Sequence, residues 1–146
     1  MTATDTCPEC GASWAETTCE QDFHQLLFWE WDYNLPEVHH LMVLCYHLQH
    51  PGLYSPEGLR DARGLLATFV GDGLSPAEVR RRRAHELDSG RRDWKIRSTP
   101  ESRGAYATPP QWTMTVADVA AAGHGRYYES VRAWARSVHA ALEQTG

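Results

Sequence analysis

The sequence predicts an all-α fold, a bundle of short helices, and three observations carry that prediction. Apolar residues recur at helical spacing through most of the chain. Several of these stretches open with Ser, Thr or Pro in capping arrangements and close on Gly or Pro-Gly. No pair of segments alternates as neighbouring strands do, and there is no internal repeat. At 146 residues the chain has the length of one domain, enough to bury a core without many cross-links.

Residues 1–18 hold two close cysteines, Gly11 and small polar residues, and read as a loop. From Cys19 the pattern becomes helical: Phe23, Leu26, Leu27 and Trp31 share a face, with Glu20 and Asp22 in the first turn, where the helix dipole favours acids. Asp32-Tyr33-Asn34 supplies a turn, and Pro36 suits the first turn of a second helix running to about Gln49. Val38, Leu41, Leu44, Cys45 and Leu48 form its broad apolar face, and Pro51-Gly52 ends it. Ser55-Pro56-Glu57 opens a third helix, with Leu59, Ala62, Leu66, Phe69 and Val70 inward and Gly71-Asp72-Gly73 as its close. Ser75-Pro76-Ala77-Glu78 is a capping box leading into a helix to Leu87. Helices thus fill 19–87. Residues 88–112 read as a long irregular connection pinned by Trp94, Ile96 and Tyr106. In 113–146, Thr115-Val116-Ala117-Asp118 caps a short helix. After Gly123-His124-Gly125 a last helix carries Tyr128, Val131, Trp134, Val138 and Leu142 as a core stripe.

Composition narrows the function classes. Six Trp and six Tyr in a chain that is 42% hydrophobic exclude global disorder. A net charge of −5 argues against non-specific nucleic-acid binding. No segment approaches the ~18 consecutive apolar residues of a membrane span. The N-terminus has neither the basic start nor the apolar centre of a secretory signal. We therefore expect a cytoplasmic protein with reduced thiols, whose four cysteines are metal ligands or buried thiols before they are disulfides. The abundance of Ala, Arg and Gly suits a GC-rich bacterial genome.

The chemistry concentrates in two places. Cys7-Pro8-Glu9-Cys10-Gly11 has the C-x2-C spacing that lets two thiolates converge on one ion from a tight turn. It supplies half a zinc site, and two more ligands must come from elsewhere. If 19–31 and 36–49 are helices joined by a short loop, they pack antiparallel. The start of the first, at Cys19, then lies beside the end of the second, at His50. Cys7, Cys10, Cys19 and His50 can therefore surround one Zn2+, clamping the knuckle loop to the first helix hairpin. His47, one turn before His50, competes for the fourth place, and His24 is a weaker candidate. Iron also suits a thiolate-rich tetrahedral site. A redox dithiol at Cys7 and Cys10 would call for a βαβ context that the sequence lacks. Cys45, mid-helix on an apolar face, reads as packing.

His39 is a separate matter. It lies eleven residues before His50, about 16 Å along a helix, so one ion cannot take both. It belongs at the opposite end of the hairpin, near Trp29, Glu30 and Asp32. Asp118 and His124 are candidates to join it in a catalytic pocket, with His39 as general base. Arg80 to Arg83, with Arg91 and Arg92, read as a solvated face on an acidic protein rather than as a phosphate site. The capped helices over 55–70 and 75–87 also fit a helix-turn-helix, a reading weakened by the acidic balance and the lack of a dimerisation signal.

The combination of Cys7-Pro8-Glu9-Cys10-Gly11, the lone Cys19, Val38-His39-His40-Leu41 and Gln49-His50-Pro51-Gly52 resembles an uncharacterised bacterial family of short proteins of unknown function. The similarity continues in Thr115-Val116-Ala117-Asp118-Val119 and Val131-Arg132-Ala133-Trp134-Ala135, and is weakest from Gly71 to Gln111. It implies roles for Cys7, Cys10, Cys19, His39, Tyr46, Gln49 and His50. Many relatives carry an aspartate where this chain has Leu44, and neither thiol nor imidazole at Cys45 and His47. That departure favours His50 over His47 and argues against a catalytic carboxylate at position 44. The resemblance implies no activity. Two functions follow as expectations. The first is a zinc-stabilised helical module acting through binding, with an unknown protein or small-molecule partner, no nucleic acid and no membrane. The alternative is a metal-dependent or histidine-based enzyme, hydrolytic or proton-transferring, with its pocket near His39.

Overall fold

The computed structural model describes residues 6–33, 36–70 and 102–144. Among these the fold is all-α, with five helices: α1 (Cys19–Tyr33), α2 (Pro36–Leu48), α3 (Pro56–Val70), α4 (Val116–Ala122) and α5 (Tyr127–Gln144). Short 3-10 turns at Pro51–Leu53 and His124–Arg126 join the ends. No helix among the described residues is long and apolar enough to cross a membrane. The helix expected over 75–87, the arginine run, Trp94 and Ile96 lie outside the described residues.

α2 is the centre of the bundle and packs against α1, α3 and α5, while α4 closes over α1 and α5. Its composition dictates that position. Val38, Leu41, Met42, Leu44, Cys45, Tyr46 and Leu48 are all buried, and a helix apolar on nearly every side finds no stable place at a surface. α5 is the amphipathic counterpart, burying Val131, Trp134, Ala135, Val138 and Leu142 along one stripe. Among the described residues, the capping signals of α3 and α4 are used. Ser55 Oγ accepts the Gly58 N–H at 3.0 Å to cap α3. Thr115 and Asp118 form a reciprocal capping box on α4, and Gly123, at φ +96°, ends it.

Two side chains depart from the expected stripes. Trp31 is 85% exposed rather than inward. The buried line of α1 is Cys19, Asp22, Leu26 and Glu30, half of it polar, which a count of apolar spacing does not see. Tyr128 is also on the surface, where Arg132 lies 5.6 Å from its ring centre. Its neighbour Tyr127 takes the core position, because its hydroxyl finds a buried partner in Glu30.

Three polar contacts fix the end of α2 against the rest of the molecule. The Trp134 indole donates to Gln49 Oε1 at 3.1 Å, and Gln49 Nε2 donates to the Met114 carbonyl at 2.7 Å. The Tyr106 hydroxyl donates to the Leu48 carbonyl, one of the acceptors a helix C-terminus leaves open. Tyr106 thus pins the connection before α4, as its aromatic character suggests. Two residues earlier the chain passes so close to the Pro51–Leu53 turn that only Gly104 fits. A Cβ there would stand 2.8 Å from the Pro51 carbonyl oxygen. Because Gln49 is fully buried and satisfies both neighbours, Gln49→Met should leave one donor and one acceptor stranded. We expect a loss of about 2–4 kcal/mol, read from the denaturant midpoint.

Candidate metal centre

The knuckle is a miniature hairpin built by backbone geometry. Cys7 N–H donates to the Ala12 carbonyl at 2.8 Å and Gly11 N–H to the Cys7 carbonyl at 3.0 Å, while Thr6 and Ser13 pair as an isolated bridge. Gly11 closes the turn at φ +81°, a conformation that side chains with a Cβ resist. The turn directs Cys10 N–H at Cys7 Sγ, 3.4 Å away, a donor suited to thiolate charge. Both thiols are buried by the fold.

Cys19 is delivered by a device the apolar pattern does not reveal. Thr18 Oγ1 accepts the Gln21 N–H at 3.2 Å, and Gln21 Oε1 accepts the Thr18 N–H at 2.9 Å. This reciprocal cap fixes the start of α1 and with it the position of Cys19. The motif Thr18-x-x-Gln21 was the available signal. Cys19 Sγ lies 3.6 Å from Cys10 Sγ and accepts the Trp14 indole N–H at 3.2 Å. The sulfurs remain free thiols.

His50 completes the set. Its ring is held between the Tyr46 ring, 4.4 Å away, and a hydrogen bond from Nδ1 to the Tyr46 carbonyl at 2.6 Å. A carbonyl only accepts, so the proton sits on Nδ1 and the Nε2 lone pair points away from it, the tautomer of a metal-ligating imidazole. Tyr46 is itself stacked on Phe23 of α1 at 4.2 Å. On the far side, Glu9 Oε2 accepts the Gly52 N–H at 2.9 Å and ties the knuckle tip to the Pro51-Gly52 turn.

The ligand atoms of Cys7, Cys10, Cys19 and His50 all lie within 4.8 Å of one another, and all four residues are buried. Two sulfurs each about 2.3 Å from one ion at a tetrahedral angle stand about 3.8 Å apart, close to the 3.6 Å between Cys10 and Cys19. His50 Nε2 is the one buried side-chain nitrogen or oxygen without a hydrogen-bond partner among the described residues. The residues therefore fit a cation, and the cluster could hold one. The electrostatics agree. The contact with Cys10, helped by His50 and the Trp14 indole and opposed by burial, draws the Cys19 thiol down to about 4 and pushes that of Cys10 far up. Burial works against charge on His50, yet the Cys19 sulfur and the Tyr46 carbonyl raise its affinity for a proton. A site that attracts a proton between its thiolates attracts a metal cation for the same reason.

A family model described as a family of unknown function, DUF5946, matches residues 5–143. The chain belongs to this family. No curated protein and no solved structure matches it. The match spans the knuckle, both helices of the hairpin and nearly all of α5, so the cluster lies wholly within the DUF5946 region.

The competing ligands are placed elsewhere. His47 Nδ1 bonds the Val43 carbonyl at 2.8 Å and its ring stacks on Tyr54, so it stands outside the cluster. His24 is on the exposed side of α1, 3.9 Å from Glu20. Cys45 is fully buried in the core, where desolvation pushes its thiol well up. At the other end of the hairpin, His39 Nδ1 lies 2.6 Å from Glu30, and His124 Nε2 lies 3.6 Å from Asp32. The Asp118 carboxylate is exposed and accepts the Thr115 N–H at 2.8 Å, so its evident task is to cap α4. Tyr127, Trp14 and Glu9 are the contributors that sequence reasoning did not single out, whereas Glu30 stands beside His39 as the hairpin geometry led us to expect. In a titration with Co2+, His47→Gln should bind one equivalent as tightly as wild type. His50→Gln should bind more weakly, with an altered thiolate-to-metal absorption.

Proposed function

We propose that Cys7, Cys10, Cys19 and His50 hold one structural Zn2+, and that this member of DUF5946 is a cytoplasmic bacterial protein acting through binding. The observation that carries the reading is the lone pair of His50 Nε2, buried among three buried thiols with no protein donor to meet it. Three thiolates and one imidazole fill a tetrahedral shell, the composition of closed structural zinc sites, which keep no position for a reacting water. When bound, the ion supplies charge neutralisation and a cross-link between segments distant in sequence. The chain's own groups do the rest. The knuckle aims two sulfurs, the cap on α1 sets the third, and the Tyr46 carbonyl fixes the imidazole.

Binding through a surface has its own support. Phe28 is 63% exposed and Trp31 85% exposed, one turn apart on the outer side of α1. Large aromatic groups left at a surface are characteristic of contact sites for proteins or small molecules.

Elemental analysis of the purified protein tests the metal. We expect one zinc per chain. Cys7→Ser, Cys19→Ser and His50→Ala should each lose it together with the cooperative unfolding transition, and a strong chelator should do the same to wild type. His39→Ala should keep its zinc. A wild-type protein without metal, or zinc that depends on His39 rather than His50, would overturn the proposal.

A further inference from the structure

At the end of the hairpin remote from the sulfur cluster, a carboxylate sits in the core. Glu30 lies on the buried stripe of α1, with its side chain only 9% exposed. A buried charge is costly unless both oxygens are paired. Here both are. Oε2 accepts the Tyr127 hydroxyl from α5, and Oε1 faces Nδ1 of His39 at 2.6 Å from α2. Among the described residues no lysine or arginine forms an ion pair with Glu30. Burial and the Glu30 contact both keep the Tyr127 phenol protonated, so it serves as a donor.

The arrangement dictates the tautomer of the histidine. A carboxylate can only accept, so the proton of the short contact belongs to Nδ1, and whenever the ring is neutral its lone pair is on Nε2. The His39 side chain is 45% exposed, and Nε2 has no hydrogen-bond partner among the described residues. An imidazole whose inner nitrogen is fixed by a buried carboxylate, with its outer nitrogen open, has the geometry that general bases require. Metal ligation is the competing use of such a nitrogen. Among the described residues, however, three or more ligand groups converge only at the cysteine cluster.

We propose that Tyr127, Glu30 and His39 form a hydrogen-bonded relay in which His39 Nε2 accepts the proton of a water or substrate hydroxyl. With an activated ester as the other reactant, the oxygen lone pair forms the bond to the acyl carbon while its proton passes to Nε2. The carbon–oxygen bond to the leaving group then breaks, the leaving group departs with the electron pair, and Nε2 returns its proton to solvent. Glu30 and Tyr127 are positioning residues, and His39 alone meets the reactant. The relay replaces Asp118 with Glu30 as the carboxylate partner of His39.

The test uses the full-length, metal-retaining protein with p-nitrophenyl acetate as probe. Wild type should release p-nitrophenolate about 10²-fold faster than His39→Gln, and more slowly in heavy water. Glu30→Gln should lose most of that advantage and the downfield Nδ1 proton signal of His39, while keeping bound metal and helical content. The 15N spectrum of wild type tests the tautomer without any variant, with Nδ1–H expected. Equal rates for wild type and His39→Gln, an Nε2–H tautomer, or an Nδ1 signal indifferent to Glu30→Gln would each overturn the proposal. So would a second metal equivalent that is present in wild type and lost in His39→Gln, because it would make His39 a ligand.

Discussion

The antiparallel register of α1 against α2 is the constraint on which the rest of the structure depends. Three contacts define it: Cys19 beside His50 within the cluster, Phe23 stacked on Tyr46, and Glu30 paired with His39. They step along the two helices in opposite directions, so each fixes the others. A slip of one residue would turn each partner by about 100° on its helix and break all three at once. Such a register is specified by polar and aromatic pairs far more sharply than by interchangeable aliphatic contacts, which tolerate repacking.

The turn that ends α2 converts this register into a whole-domain arrangement. Gln49, His50, Pro51 and Gly52 are consecutive, yet each meets a different part of the chain. Gln49 joins α5 to the segment before α4. His50 faces the thiols, Gly52 receives the knuckle through Glu9, and the Pro51 carbonyl leaves room for nothing larger than Gly104. Proline stops the helix and lets the backbone diverge, which is how four neighbours come to point in four directions. A cation held at His50 would therefore act at the point where these segments converge, and its effect on stability would extend beyond the knuckle.

How much of this was legible follows from what each signal depends on. The helices of 19–33, 36–48, 56–70 and 116–144 were readable because apolar periodicity and capping residues are local. The cluster was readable because C-x2-C is local and because the hairpin geometry places Cys19 beside His50. The choice of His50 over His47 rests on which way each ring turns, a matter of the Tyr46 and Val43 carbonyls and the Tyr54 ring that spacing cannot express. The same blindness hid the burial of Glu30, although the hairpin geometry already placed it near His39. A buried carboxylate reads as a surface residue until its partners are known, and Tyr127 is remote from it in sequence. It also exchanged Tyr127 for Tyr128 in the core, because adjacent tyrosines on an amphipathic helix are separated only by which hydroxyl finds an acceptor.

The two histidines at the ends of α2 show why similar chemistry leads to different roles. Each has Nδ1 committed to an inward acceptor, a carbonyl for His50 and a carboxylate for His39. Each is thereby left with a lone pair on Nε2. What differs is where that lone pair ends. At His50 it is sealed among sulfurs with no hydrogen-bond partner among the described residues, a costly position for a polar atom that a cation could relieve. At His39 the ring is half open to solvent, so water meets the lone pair at no cost and any hydroxyl can replace that water. The carbonyl at His50 is neutral, so the charge of any thiolates there would be left for a bound cation to balance. The carboxylate at His39 is anionic and pairs directly with the Nδ1 proton. α2 and the turn that follows it thus present one nitrogen sealed among thiols and one open to solvent, and burial together with the charge of the inward acceptor separates the proposed metal site from the proposed base.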